Sequence, residues 1–182
     1  MTFYTLASPI NIDENSKIHA IWNELDLTCN VNHVKYSPIP HFSWITFKGI
    51  NNHALLNEKL HQWAGGFDPF QIKVSGLGIF QGEQPIVYLP IVRTSQLSKL
   101  HSGLLKHIDQ YIEDASSFYF SENWMPHITL AIRDITLENL SCAVGQCMQF
   151  DLTFRLNIDH LAILYMDEKS FGIQQTFPFG TT

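Results

Sequence analysis

Two short segments of the chain share one pattern. Pro40-His41-Phe42-Ser43-Trp44 and Pro126-His127-Ile128-Thr129-Leu130 both read Pro-His-Φ-[Ser/Thr]-Φ, with Φ a large apolar residue. At this composition Pro-His-x-[Ser/Thr] arises by chance about 0.05 times per chain, so two copies are roughly a one-in-a-thousand event. On a strand, alternate side chains share a face. His41 and Ser43 then point one way while Phe42 and Trp44 point into a core, and His127 and Thr129 pair off against Ile128 and Leu130 likewise. Two such strands side by side would line a cleft with two imidazoles and two hydroxyls, a set suited to a phosphodiester. A neutral imidazole takes a proton from the attacking water, and a protonated one gives a proton to the leaving oxygen. The hydroxyls donate hydrogen bonds to non-bridging oxygens whose charge grows in the transition state. The motifs are symmetric, so either histidine can be the base. His19, His33, His53, His61, His101, His107 and His160 lack the partner spacing of a metal site, and no metal or other cofactor is expected.

The elements that must position these residues can be read from periodicity and breakers. A strand over 2–7 stops at Pro9. Asp13 or Asn15 caps a helix over about 14–27, whose Ile18, Ile21, Trp22 and Leu25 form one apolar stripe. Residues 41–47 are a strand, and a helix over about 53–64 ends at Gly65-Gly66. Strands over 70–80 and 86–92 flank the turn Gly82-Glu83-Gln84-Pro85 and form a hairpin. A helix over about 96–114, a strand over 127–133 and a Thr136-capped helix over about 137–148 follow. Strand-like stretches over 150–165, with an internal break, and 171–178 complete the series. The order helix, His strand, helix, two strands thus occurs twice, over about 14–92 and 96–178. The expected fold is α+β and bilobal: one domain over 1–182, with two pseudo-symmetric lobes. Each lobe is a small antiparallel sheet flanked by helices, with the active cleft between them.

Composition limits the class of ligand. The 182 residues suffice for one domain that buries roughly 70% of its unfolded surface. The net charge of −6 and the absence of a Lys/Arg run exclude the basic track that long duplex nucleic acids need. A small nucleotide or a single RNA end requires only local donors. Cys29, Cys142 and Cys147 are odd in number and contain no CxxC, so they read as buried reduced thiols. With no signal-peptide pattern and no apolar run of about 20 residues, a cytoplasmic monomer without membrane contact is expected.

At the two motifs the chain resembles the two-histidine phosphoesterase superfamily, and within it the LigT-like "2'-5' RNA ligase" or cyclic phosphodiesterase family. That family's hallmark is a His-x-[Ser/Thr]-x motif in each lobe. Here the histidines lie 86 residues apart, and the likeness runs over nearly the whole chain, including the 70–92 hairpin and the Leu97/Leu100-His101 helix. The resemblance implies that His41 and His127 are the catalytic pair and that Ser43 and Thr129 hold the phosphate. It also implies metal-independent action on 2',3'-cyclic phosphates or 2'-5' linkages. Two positions depart from it. Ser43 stands where Thr is commoner, and Ile132 stands where many members have Arg directly after His-Ile-Thr-Leu-Ala. Strand alternation puts Arg133, not Ile132, on the His127 face as a phosphate ligand. Trp124, three residues before His127, is a candidate to stack a base at the cleft mouth. Hydrolysis of 2',3'-cyclic phosphate ends is the activity expected. A 2'-5' oligoadenylate or RNA phosphodiesterase or ligase would use the same four residues, and a non-catalytic module that binds nucleotides or RNA ends would retain them.

Overall fold

The computed structural model describes residues 2–11, 16–168 and 170–180. The expected cap at Asp13 or Asn15 lies outside the described residues. In chain order the elements are β1 (Phe3–Pro9), α1 (Ser16–Cys29), β2 (His41–Phe47), β3 (Gly49–Ile50), α2 (His53–Gly65), β4 (Phe70–Ser75), β5 (Gly78–Phe80) and β6 (Ile86–Pro90). There follow α3 (Ser95–Ile108), β7 (Ile112–Glu113), β8 (His127–Ala131), α4 (Leu140–Cys147), β9 (Thr153–Ile158), β10 (His160–Met166) and β11 (Phe171–Pro178). Among the described residues no helix is long and apolar enough to cross a membrane.

The architecture is the expected α+β, two-lobed arrangement of antiparallel strands flanked by helices. The sheets of the two lobes meet edge to edge, giving one seven-stranded order β11-β10-β1-β2-β8-β6-β5. The seam is the pair of His strands, β2 and β8, joined at Phe42 opposite Ile128. The two halves of the sequence interleave around it. Hairpin β5–β6 of the first half docks on β8, and hairpin β10–β11 of the second half joins β2 through β1. Strands β4 and β9 pair with each other in a separate two-stranded sheet.

Local chemistry explains where the elements depart from the periodicity. The strand expected over 70–80 breaks at Gly76, whose φ of 83° suits glycine, so β4 and β5 enter different sheets. The helix expected to reach 114 stops at Ile108, and the chain returns as the short strand β7, which pairs with β3. The helix expected from 137 begins at Leu140 because Asn139 accepts the Thr136 backbone N–H at 2.7 Å, closing a turn that leaves Leu137 exposed.

Phe42, Trp44, Phe47, Trp124 and Phe177 are fully buried in the shared core, where a large apolar side chain contributes about 1.5–3 kcal/mol. The α1 stripe of Ile18, Ile21, Trp22 and Leu25 is buried as its spacing predicts. One expectation is corrected. Cys29 and Cys142 are not free thiols but a disulfide, with Cα atoms 5.8 Å apart, and Cys147 alone remains a buried thiol. The two cysteines lie 113 residues apart and meet only because α1 packs on α4, which sequence spacing does not reveal.

Candidate active site

The site is built on the seam. Phe42 lies opposite Ile128 in an antiparallel pair, which sets His41 across from Thr129 and Ser43 across from His127 on the other face. The two histidines are diagonal neighbours, a relation that sheet geometry puts at about 7–8 Å between α-carbons. In both strands the burial alternates as the motif requires: His and the hydroxyl residue are half-buried, and the apolar residues behind them are buried.

Each imidazole is held in the same way. His41 Nδ1 donates to the Ile39 carbonyl at 2.7 Å, and His127 Nδ1 donates to the Met125 carbonyl at 2.7 Å. Both acceptors lie two residues back, across the motif proline. The proline carbonyls are used as well, since Pro40 accepts from the Ile10 N–H at 2.8 Å and Pro126 from the Ile91 N–H at 2.9 Å. A proton fixed on Nδ1 leaves Nε2 of each ring as the nitrogen available to a substrate. Burial pushes the pKa of His41 below 6.5, the Ile39 carbonyl partly opposes this, and nearby His127 lowers it further. Burial also lowers that of His127, against the pull of the Met125 carbonyl.

His41, Ser43, His127, Thr129 and Arg133 all line one cavity of about 320 Å³. From the seam it extends over β1, β10 and β11, where Thr5, Leu164 and Phe171 form its floor. The Phe171 ring lies 6.4 Å from that of His41. On the opposite side Phe80 and Tyr88 stack on each other at 4.1 Å, and each lies about 5 Å from His127. Gly78 makes room for Tyr88, since a Cβ there would fall 2.3 Å from its ring. Among the described residues no cluster of His, Cys, Asp or Glu could hold a metal ion.

Both His strands carry a bulge directly after the hydroxyl residue. Against β1, Leu6 faces Ile45 and Ala7 faces Ser43, so Trp44 is the extra residue. Against β6, Val87 faces Ala131 and Tyr88 faces Thr129, so Leu130 is extra. A bulge shifts the alternation by one residue. Thr46 and Ile132, each five places after its histidine, consequently reach the cavity wall. Arg133 also lines the cavity, though not through strand alternation. Arg133 lies beyond the end of β8 with φ 71°, exposed at the cavity edge, and Ile132 lines the cavity beside it.

The expectation that Trp124 stacks a base is overturned. Its ring is 1% exposed, stacks on His101 at 3.8 Å, lies 5.7 Å from that of Trp44, and does not line the cavity. Residues that sequence reasoning misses are Phe80, Tyr88, Phe171 and Trp22. Phe80 and Tyr88 come from the β5–β6 hairpin and Phe171 from the β10–β11 hairpin, and each hairpin reaches its His strand through pairings distant in sequence. The spacing of Trp22 places it only in the apolar stripe of α1. The orienting carbonyls do leave a signal, the proline before each histidine.

The sequence pattern of the 2'-5' RNA ligase superfamily matches residues 15–170. A Bacillus cereus (strain G9842) protein named "Putative phosphoesterase" is 23% identical over 132 residues, covering 70% of this chain and 69% of that protein. The crystal structure of TT0787 of Thermus thermophilus matches with a TM-score of 0.66 at 13% identity over 98% of both chains. That of E. coli LigT complexed with 3'-AMP matches with a TM-score of 0.60 at 12% identity, over 98% of this chain and 97% of LigT. These structures share the fold, and the pattern match over most of the length fixes the kinship: this chain belongs to the 2'-5' RNA ligase superfamily, a family of the two-histidine phosphoesterase type.

Proposed function

We propose that this protein is a metal-independent phosphodiesterase that opens 2',3'-cyclic phosphates at the end of a nucleotide or short RNA. The carrying observation is the matched pair His41 and His127, each with Nδ1 tied to a backbone carbonyl and both lining one cavity. One Nε2 takes a proton from water as the water oxygen bonds to phosphorus. The other Nε2–H gives its proton to the ribose oxygen as the P–O bond breaks. By family resemblance the leaving oxygen is O3', which leaves a 2'-phosphate. The Ser43 and Thr129 hydroxyls and the Arg133 guanidinium donate to the non-bridging oxygens.

The size of the cavity supports a small substrate, because about 300 Å³ is the lower end of the range for ligand pockets and suits one nucleotide. The net charge of −6 supports the same choice over a long strand. The solved LigT complex with 3'-AMP is consistent with a nucleotide-sized ligand. Phosphorus NMR of a 2',3'-cyclic mononucleotide mixed with the protein and a chelator tests the proposal. The strained-ring signal should give way to a monoester signal, and His41→Ala and His127→Ala should each slow this by about 10²–10⁴-fold. Saturable binding with an intact ring would leave a binding module, and activity abolished by the chelator would remove the metal-free mechanism.

A further inference from the structure

β2 and β8 pair only at Phe42 opposite Ile128, so beyond that point the Ser43 and Thr129 carbonyls lack ladder partners across the seam, and buried carbonyls need donors. Each is met by a ring N–H. The Ser43 carbonyl accepts from Trp124 Nε1–H at 3.0 Å, and the Thr129 carbonyl accepts from Trp22 Nε1–H at 3.2 Å. The Trp44 carbonyl, at the bulge residue itself, accepts from His101 Nε2–H at 3.0 Å. Trp22 and His101 occupy the same place in the repeat, the seventh residue of α1 and of α3. Trp124 lies flat against His101, with ring planes 5° apart, and Arg93 donates to the Trp124 carbonyl at 2.8 Å.

We infer that Trp22, Trp124 and His101 are positioning residues that lock the bulges of the two motif strands and thereby aim the hydroxyls of Thr129 and Ser43 at the phosphate. The coupling is short. The carbonyl held by each indole belongs to the hydroxyl residue itself, so fixing that peptide plane fixes the direction of its Cα–Cβ bond. The bulge must occur where it does, since it brings Thr46 and Ile132 to the cavity wall while His and the hydroxyl residue keep their shared face. The indoles act on transition-state geometry. Misplacing a donor by about 1 Å can cost up to about 10²-fold in rate with little change in ground-state binding.

The inference rests on reading Ser43 and Thr129 as phosphate donors, and a double-mutant cycle tests it. Replacing Trp124 by β-(3-benzothienyl)alanine keeps the shape and the stack but substitutes sulfur for the N–H. Expected is a loss in kcat of about tenfold, with KM changed by less than about twofold. In a Ser43→Ala background the same replacement should cost less than about twofold, whereas in a Thr129→Val background it should still cost about tenfold. The same replacement at Trp22 should show the opposite pairing. Equal losses in all backgrounds, or none in the native one, overturn the inference. A native protein that hydrolyses no phosphodiester would defeat the proposed function alone. In that event the Ser43 rotamer, read from its Cβ resonance and three-bond couplings, decides: several rotamers in the Trp124 replacement uphold the inference, and the single native rotamer overturns it.

Discussion

Acid should destabilise this fold through His101. The side chain is 0% exposed, stacked on Trp124 and hydrogen-bonded to the Trp44 carbonyl. Burial, reinforced by the charge of Arg93 and opposed by the Trp44 carbonyl and the nearby Tyr119 backbone, lowers its pKa from 6.5 to about 4. In the unfolded chain the imidazole takes up a proton as pH falls through 6.5, whereas in the folded protein it stays neutral until about 4. The unfolded state therefore binds more protons in this window, and stability present above pH 6.5 is lost progressively on acidification. Between about pH 7.5 and 4.5 the linkage amounts to about 2.5 kcal/mol, a large part of the usual 5–15 kcal/mol of a domain. Urea unfolding at a series of pH values measures it. His101→Gln keeps a donor for Trp44 but cannot titrate here, so its stability should fall less steeply with acid, the difference from the native slope approaching that figure. Parallel slopes for the two proteins would refute the argument.

Three further outcomes are expected. Because burial lowers the pKa of both His41 and His127, the state with one neutral and one charged imidazole is richest below 6.5. The profile of kcat/KM should therefore be bell-shaped with its maximum on the acid side, and an optimum near about pH 8 would contradict the assignment. Reducing the Cys29–Cys142 disulfide, which closes a 113-residue separation, should lower the melting temperature by about 10 °C, since such a loop is worth about 4–5 kcal/mol. An unchanged melt with both thiols free to alkylation would exclude a stabilising role. Gly78→Ala should drive Tyr88 towards His127 and cut turnover by about tenfold or more while the fold survives, as judged by circular dichroism and rates with a cyclic nucleotide.

The face of each motif strand is legible because period-two alternation and the Pro-His-Φ-[Ser/Thr]-Φ repeat encode the same side of the sheet. His41, Ser43, His127 and Thr129 therefore come together where the pattern points. The alternation misleads only past the hydroxyl residue. Trp44 and Leu130 look like ordinary apolar strand residues, and nothing in their type announces a bulge, so alternation leaves Ile132 off the cavity wall that it lines. Closeness of Trp124 to His127 in sequence says nothing about where its ring turns, and a buried indole needs an acceptor that only the folded chain supplies. Helix α1 is legible from its stripe. Its disulfide to α4 is not, because that contact depends on the packing of two distant helices.

The interleaving of the two halves also sets the order of events in folding. Strand β1 has residue 3 beside residue 166 of β10, and the seam joins residue 42 to residue 128. Contacts of such span close slowly, because much chain entropy is lost before they form. A chain emerging from the ribosome presents the first histidine before β10 and β11, and it cannot complete the floor beside that histidine until those strands have been made. Nascent or truncated chains that stop before these strands carry both motifs but no finished pocket, so the cavity beside the histidines closes only once β10 and β11 have been added.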